Sequence, residues 1–333
     1  MLTIEMQPQA VHLGQQCDFI VRAKQEGVEV RYFVRHRGIL YLKPLTDWLK
    51  PGPFHFFPEA PGAYSLLIEW RTQEGQTDLD TFDFAVEAGE TRNDGPQKVR
   101  VDRTTEVWVS SRWEAKLLAG YEEPVVRFMR NTIVPGWAVY DIGANIGLYS
   151  ILASRLVGEQ GRVYSVEANP LCVYLLRTNL ELNQIANSQI LPMAALDSAG
   201  SVNFTLNYGN LGLGVTQRSS LYATKAGHEI GVVGVDMTSM IAQFGLRSPD
   251  LIKIDVEGAE GFVIEGLASI IQSRRPSLMI EVHGKVAARQ TFQHFRDQPY
   301  RYEILNDGQK FATVDALLDW FPESVWQVAC LPK

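Results

Sequence analysis

Val139 to Leu152 reads VYDIGANIGLYSIL: a short apolar run, a turn holding Asp141, Gly143, Asn145 and Gly147, then a second apolar run. The lengths and composition suit a buried strand running into a helix. Glycines at such a corner let backbone N–H groups approach a ligand, and the helix N-terminus behind them favours anionic or electron-rich groups. A second strand follows at Arg162 to Val166 and ends at Glu167. That places an acidic side chain about twenty residues beyond the turn, where a βαβ unit meets a ribose diol. Asp141 stands where a dinucleotide fingerprint has its first glycine, so the pattern is D-x-G-A-N-x-G rather than G-x-G-x-x-G.

A carboxylate at the strand tip repels a pyrophosphate but accepts hydrogen bonds from an ammonium group. S-adenosylmethionine carries an ammonium on its methionyl tail and has no phosphate, so the corner points to that cofactor. The alternative is that Asp141 only caps the turn and the glycines only permit it.

The chain has 333 residues, 46% of them hydrophobic and 21% charged, which suits two globular domains with sizeable cores. A net charge of −7 and the absence of a Lys/Arg block argue against nucleic acid and against a polybasic membrane surface. No apolar run approaches a membrane span, and MLTIEMQPQAV lacks a signal pattern. The expectation is a cytoplasmic protein. Cys17, Cys172 and Cys330 lie far apart without metal-knuckle spacing and read as buried thiols.

Residues 1–88 alternate apolar and polar positions in short runs, among them Phe19, Val21, Ala23 and Tyr64, Leu66, Ile68, Trp70, as an antiparallel sandwich does. Phe57 to Trp70, FPEAPGAYSLLIEW, resembles the entry to a strand in immunoglobulin-like modules. Residues 89–98 are polar, carry Asp94-Gly95-Pro96 and read as a linker. From residue 99 to 333 strand and helix patterns alternate, predicting a mostly parallel sheet covered on both faces. Strands are expected at 138–142, 163–166, 189–193, 251–256 and 277–282. Tyr300 to Leu305 and Ser324 to Leu331 should add a terminal antiparallel pair around a helix at Val314 to Trp320. Ser201 to Val235 is an insertion whose ends, Val202 to Leu206 and Ile230 to Val235, suit a hairpin. Its glycine-punctuated middle, with Tyr208, Gly209, Gly212 and Gly214, is a candidate substrate lid or a surface loop.

Charges crowd two of the strands. In LIKIDVEGAE, Leu251 to Glu260, a two-residue period puts Lys253, Asp255 and Glu257 on one face. In SLMIEVHG, Ser277 to Gly284, Glu281 and His283 share a face near the carboxyl end, where open α/β sheets bind ligands. Asp255, Glu257, Glu281 and His283 are therefore expected to converge beside the cofactor.

Taken together, YDIGANIGLYS, VYSVEANP, LIKIDVEGAEGFVIEGL and RRPSLMIEVHG, in this order and at these spacings, resemble the FkbM family of S-adenosylmethionine-dependent methyltransferases. AGYEEPVVRFMRNTIVPG, Ala119 to Gly136, is similar to that family's lead-in helix. The resemblance spans roughly residues 105 to 290 and leaves out the sandwich. It implies a class I methyltransferase fold, Rossmann-like, with a seven-stranded sheet, and O-methylation of a hydroxyl on a sugar, glycan or related natural product. It also implies that Asp141, Gly143, Ala144, Asn145, Gly147 and Glu167 hold the cofactor. Ala194 to Asp197, with Ala195 among them, would lie against adenine. Tyr121, Glu122 and Glu123, ahead of the first core strand, are candidates to reach the methionyl end, or one of them only starts the helix before Pro124.

Methyl transfer from a sulfonium is an in-line displacement, so orientation supplies most of the rate, on the order of 7–11 kcal/mol. A general base adds about 10²–10⁴-fold. His283 is the candidate base because an unperturbed imidazole is partly deprotonated near neutral pH; otherwise it caps the strand end. Asp255 and Glu257 either hold a divalent cation or pair with Lys253 and serve the helix start at Gly258. A site without metal is the reading taken, with Glu281 assigned to Lys253 in preference to substrate. The expected partner is a small-molecule or glycan hydroxyl, with the sandwich free to contact a partner or a second copy. Two other functions compete: a dinucleotide-dependent dehydrogenase, disfavoured by Asp141, and a cofactor- or glycan-binding protein without catalysis.

Overall fold

The computed structural model describes residues 2–7, 11–12, 17–36, 39–40, 50–56, 62–87, 96–101, 105–110, 123–206, 215–216 and 228–333. The chain divides into two compact units, residues 1–94 and 95–333. The expected linker lies mostly at residues outside those described, as do positions 57–61 of the immunoglobulin-like stretch.

The first unit is all β. Its strands are β1 (Leu2–Gln7), β2 (Val11–His12), β3 (Cys17–Ala23), β4 (Glu29–His36), β5 (Ile39–Leu40), β6 (Pro53–Phe56), β7 (Gly62–Arg71) and β8 (Thr77–Glu87). They form a three-stranded sheet, β1-β3-β6, and a five-stranded sheet, β2-β8-β7-β4-β5. Alternation explains the packing: Cys17, Phe19 and Val21 turn inward from β3 and meet Tyr64, Leu66, Ile68 and Phe84 of the larger sheet in one core. Phe19 touches Phe82 and Phe84 edge-on, at 5.9 and 5.3 Å between ring centroids.

The second unit opens with a hairpin, β9 (Gln97–Arg100) and β10 (Glu106–Val109), then α1 (Glu123–Thr132). Two βα steps and a third strand follow: β11 (Ala138–Ile142), α2 (Leu148–Val157), β12 (Arg162–Val166), α3 (Pro170–Leu182) and β13 (Ser188–Leu191). Short strands β14 (Ala194–Leu196), β15 (Gly200–Leu206), β16 (Val215–Thr216) and β17 (His228–Asp236) lead to α4 (Met237–Gln243). Then come β18 (Leu251–Ile254), α5 (Glu260–Gly266), α6 (Ala268–Arg274), β19 (Ser277–His283) and α7 (Gly284–Phe292). β20 (Tyr300–Ile304), β21 (Lys310–Phe311), α8 (Val314–Trp320) and β22 (Val325–Pro332) complete the unit.

Eight strands lie in the order β13-β12-β11-β18-β19-β22-β20-β21. β13, β12, β11, β18 and β19 are parallel, while β22 runs antiparallel between β19 and β20. The expected seven strands are present, with the two-residue β21 added at the edge by a hairpin return. Each central strand sends alternate side chains to opposite faces. Val139, Val163, Leu251 and Met279 pack toward Met129, Ile151, Leu152 and Leu176 of α1, α2 and α3. Tyr140, Ile252, Leu278 and Ile280 pack toward Ile264 of α5, Ile271 of α6 and Phe292 of α7. Being buried on both sides, these strands are continuous apolar runs, and a charge inside them stands out.

From β11 the chain winds outward through β12 and β13, then returns to β18 on the other side of β11. The carboxyl ends of β11 and β18 therefore border the switch point, where open α/β sheets leave a crevice. The insertion forms a second sheet, β14-β17-β15-β16, and the expected hairpin pairs Val202 with Val232 and Phe204 with Ile230. The candidate lid residues Tyr208, Gly209, Gly212 and Gly214 lie outside the described residues.

Candidate functional site

One cleft opens at the switch point, enclosing about 630 Å³ of space that includes its mouth. Gly143 and Asn145 line it from the β11 corner, Glu167 and Asn169 from the loop after β12, Met193 from the loop after β13, Ala195 from β14, and Asp255 and Glu257 from the turn after β18. Phe204 of the insertion closes one side. Sequence reasoning missed Met193, Phe204, Asn169 and Cys172, whose apolar or small polar types carry no signal outside this geometry.

At the corner the backbone amides are already committed. Gly143 and Ala144 N–H donate to the Val166 carbonyl, at 2.9 and 3.0 Å, and Gly147 N–H donates to the Ala144 carbonyl at 2.9 Å. Asn145 N–H donates to Glu167 Oε2 at 2.8 Å, and Asn169 N–H to Glu167 Oε1 at 2.7 Å. The expectation that glycines bring amides to a ligand is therefore corrected. Gly143, at φ +76°, is required because a Cβ there would stand 1.7 Å from the Asp255 carbonyl oxygen. Gly147, at φ +96°, makes room for Leu176. Asn145 holds a left-handed φ of 50° without being glycine, a costly conformation that its surroundings must enforce. Ala144 is buried behind the cleft.

Glu167 is 8% exposed, and its carboxylate spans two loops through its amide bonds while still lining the cleft. Each oxygen keeps a lone pair for a further donor. Burial pushes its pKa up, against the two amide bonds, which act to lower it.

Asp141 has a different role from the one expected. It is 1% exposed and does not line the cleft. Its Oδ2 accepts a 2.6 Å bond from Ser150, and its Oδ1 faces Lys253 Nζ at 3.4 Å. The ammonium it meets belongs to the protein. Lys253, 2% exposed, also donates to the Gly143 carbonyl at 2.9 Å and reaches Asp255 Oδ2 at 3.3 Å, with its Nζ 5.2 Å from the centre of the Tyr149 ring. One buried cation thus ties the two strand ends together. Burial pushes the Asp141 carboxyl up, and Lys253 and Ser150 pull it back.

β18 ends at Ile254, two residues before the expected boundary, so Asp255 and Glu257 belong to a turn and not to one strand face. Glu257 and Gly258 take left-handed φ values of 54° and 91°, and this reversal carries Glu257 toward β19. There the four predicted residues converge. Oxygens of Asp255 and Glu281 and a ring nitrogen of His283 lie within 4.8 Å of one another. His283 Nε2 stands 3.7 Å from Glu257 Oε2 and 3.6 Å from Glu281 Oε1. Glu281, assigned from sequence to Lys253, is steadied by Gln327 Nε2 of β22 at 2.8 Å, its cross-strand neighbour. Glu122 lies outside the described residues.

Glu260 was missed. It opens α5 at 0% exposure, and its Oε1 binds His283 Nδ1 and Gly258 N–H, both at 2.8 Å. A glutamate three residues beyond Glu257 reads as an ordinary solvent-facing helix start, and only the packing of α5 against β19 turns it inward. Burial alone would lower the His283 pKa. The bond and charge of Glu260, with the charges of Glu257 and Asp255, outweigh burial and raise it to about 9. The premise of an unperturbed imidazole is therefore not met: without another cation present, His283 is mostly protonated at neutral pH.

Residues 141–303 match the family described as the Methyltransferase FkbM domain. The matched segment lies within the second unit and makes up just under half of the chain. Methyltransferase sdnD of Sordaria araneosa is 32% identical over 155 residues, covering 39% of this chain and 60% of the relative. The 31-O-demethyl-FK506 methyltransferase FkbM of Streptomyces tacrolimicus is 27% identical over 175 residues, 45% of this chain and 66% of the relative. Hexuronic acid methyltransferase AglP of Haloferax volcanii is 24% identical over 205 residues, 61% of this chain and 80% of the relative. The chain thus spans 60% of the length of sdnD. The match begins at Asp141, at the β11 corner, and runs past His283, so it contains both sides of the cleft.

Proposed function

We propose that the FkbM domain binds S-adenosylmethionine at the β11 corner and transfers its methyl group to a hydroxyl oxygen of a sugar or related natural product. The observation that carries this reading is the single cleft shared by Glu167 and Asn145 on one side and Asp255 and Glu257 on the other.

The residues fit such a cofactor. The cleft lining carries three carboxylates, Glu167, Asp255 and Glu257, and no lysine or arginine among the described residues. A cationic sulfonium compound is favoured there, and a dinucleotide is not. The corner amides bond Val166 and Glu167, leaving no nest for a pyrophosphate. Glu167 is placed to accept a diol, and Met193 and Ala195 offer an apolar wall for a flat ring. When bound, S-adenosylmethionine supplies a methyl group activated by positive sulfur.

The chain's own contribution is to orient and to exclude water. Asp255 and Glu257 line the cleft and can accept the hydrogen bond of an incoming hydroxyl, whereas His283 serves to hold the carboxylates in register. AglP's action on hexuronic acid and FkbM's on a 31-O-demethyl compound support an oxygen acceptor of this general class. Calorimetry and thermal shift with S-adenosylhomocysteine and with NAD test the proposal. Binding and stabilisation by the first alone is the expected result. Stabilisation by NAD, or none by the homocysteine compound, overturns it.

A further inference from the structure

We propose that Asp255, Glu281 and His283, with Glu257 beside them, form a binding site for a divalent cation of the magnesium–manganese class at the acceptor side of the cleft. The inference deepens the methyl-transfer reading and rests on it for the cation's use, though not for its binding.

The donors come from two adjacent parallel strands, β18 through its turn and β19 through its last three residues, so the sheet itself sets their spacing. Donors about 2.0–2.6 Å from a shared cation lie roughly 3–3.7 Å apart at right angles and about 4–5 Å apart across it. The separations of 3.6 and 3.7 Å from His283 Nε2 to Glu281 and Glu257, and the 4.8 Å limit on the Asp255, Glu281 and His283 set, fall in that range. They exceed a normal N–H···O hydrogen bond.

A second observation is independent of the carboxylates. The His283 side chain is 7% exposed, yet its Nε2 has no hydrogen bond among the described residues and faces the gap between Glu257 and Glu281. Its other nitrogen is fixed by the fully buried Glu260, which is itself held by Gly258 N–H. A carboxylate that orients a histidine through Nδ1 and leaves Nε2 directed at acidic groups is the outer support that metal-binding histidines use.

Oxygen donors suit magnesium, manganese and calcium; one imidazole and no thiolate in the set favour manganese over calcium. Asp255 and Glu257 also line the cleft, so a cation between them and His283 borders the acceptor space. Such an ion holds an acceptor best through two neighbouring oxygens, which points to a vicinal diol or a hydroxy acid rather than an isolated hydroxyl.

The experiment titrates Mn²⁺ into chelator-treated, full-chain protein, read by electron paramagnetic resonance and calorimetry, alongside Glu281→Gln, His283→Ala and Glu260→Gln. S-adenosylhomocysteine binding and circular dichroism are measured on every sample. The expected result is one Mn²⁺ per chain, at least tenfold weaker in Glu281→Gln and His283→Ala and about 10–100-fold weaker in Glu260→Gln, with folding retained. That pattern supports the site whether or not the homocysteine compound binds, and failure of that compound alone sinks only the cofactor reading. No stoichiometric Mn²⁺ binding by wild type, or equal binding by the folded variants, overturns the site.

Discussion

His283 at the end of β19 and Glu260 at the start of α5 are joined by a 2.8 Å hydrogen bond from a ring nitrogen to a carboxylate with no solvent exposure. This bond gives the imidazole a titration unlike that of a free histidine. In chelator-treated protein, the His283 ring resonances should titrate near 9 and not near 6.5. The folded pKa is the higher, so the stabilisation this group provides is complete below about 6.5 and is lost as pH rises through about 9. Denaturant midpoints between pH 6 and 10 should fall in wild type and fall less in Glu260→Gln. Equal slopes would remove the pair as the cause.

Glu167→Gln tests the corner. The amide can still accept one backbone N–H but turns a donor toward the other, and the charge facing the cleft is gone. Binding of S-adenosylhomocysteine should weaken by about 1.5–3 kcal/mol for each charge-assisted bond lost. An unchanged calorimetric dissociation constant would contradict the assignment.

Gly143→Ala should be far worse than its size suggests. The new methyl would stand 1.7 Å from the Asp255 carbonyl oxygen, which is backbone and cannot swing away. Gly308→Ala has a similar φ of +77° but meets nothing within 4 Å, so it should cost only about 1–2 kcal/mol for the left-handed conformation. Chemical denaturation of the two variants makes the comparison, and similar midpoints would refute it.

Lys253→Met removes the buried cation beneath the cleft. Asp141 then keeps its Ser150 bond but loses its counter-charge, a loss of about 3–5 kcal/mol for a broken buried pair. Adding Asp141→Asn should recover much of it, because the group left uncompensated is then neutral. A double-mutant cycle in urea measures this, and strictly additive losses would show that the two residues do not act as a pair.

Much of this was legible in sequence because the signals were local. The βα rhythm, the D-x-G-A-N-x-G corner and the run of charges in a strand each lie within a dozen residues, and period-two patterning placed Glu281 and His283 together correctly. What escaped depended on the chain's return to itself. Asp141 faces Lys253 only because β18 comes back beside β11, 110 or so residues later in the chain. Glu260 turns inward only because α5 packs on β19. Glu257 reaches His283 through a left-handed turn that alternation does not describe, and Met193 and Phe204 border the cleft as side chains that would suit any core.

The approach of Gly143 to the Asp255 carbonyl has a consequence for attempts to change what the protein accepts. The loop that would greet the cofactor and the loop that would greet the acceptor are interlocked with no slack between them. Remodelling residues 255–257 to admit a new acceptor should therefore shift cofactor affinity in the same stroke, so acceptor scope is better broadened from the Phe204 side, where the wall belongs to a different sheet.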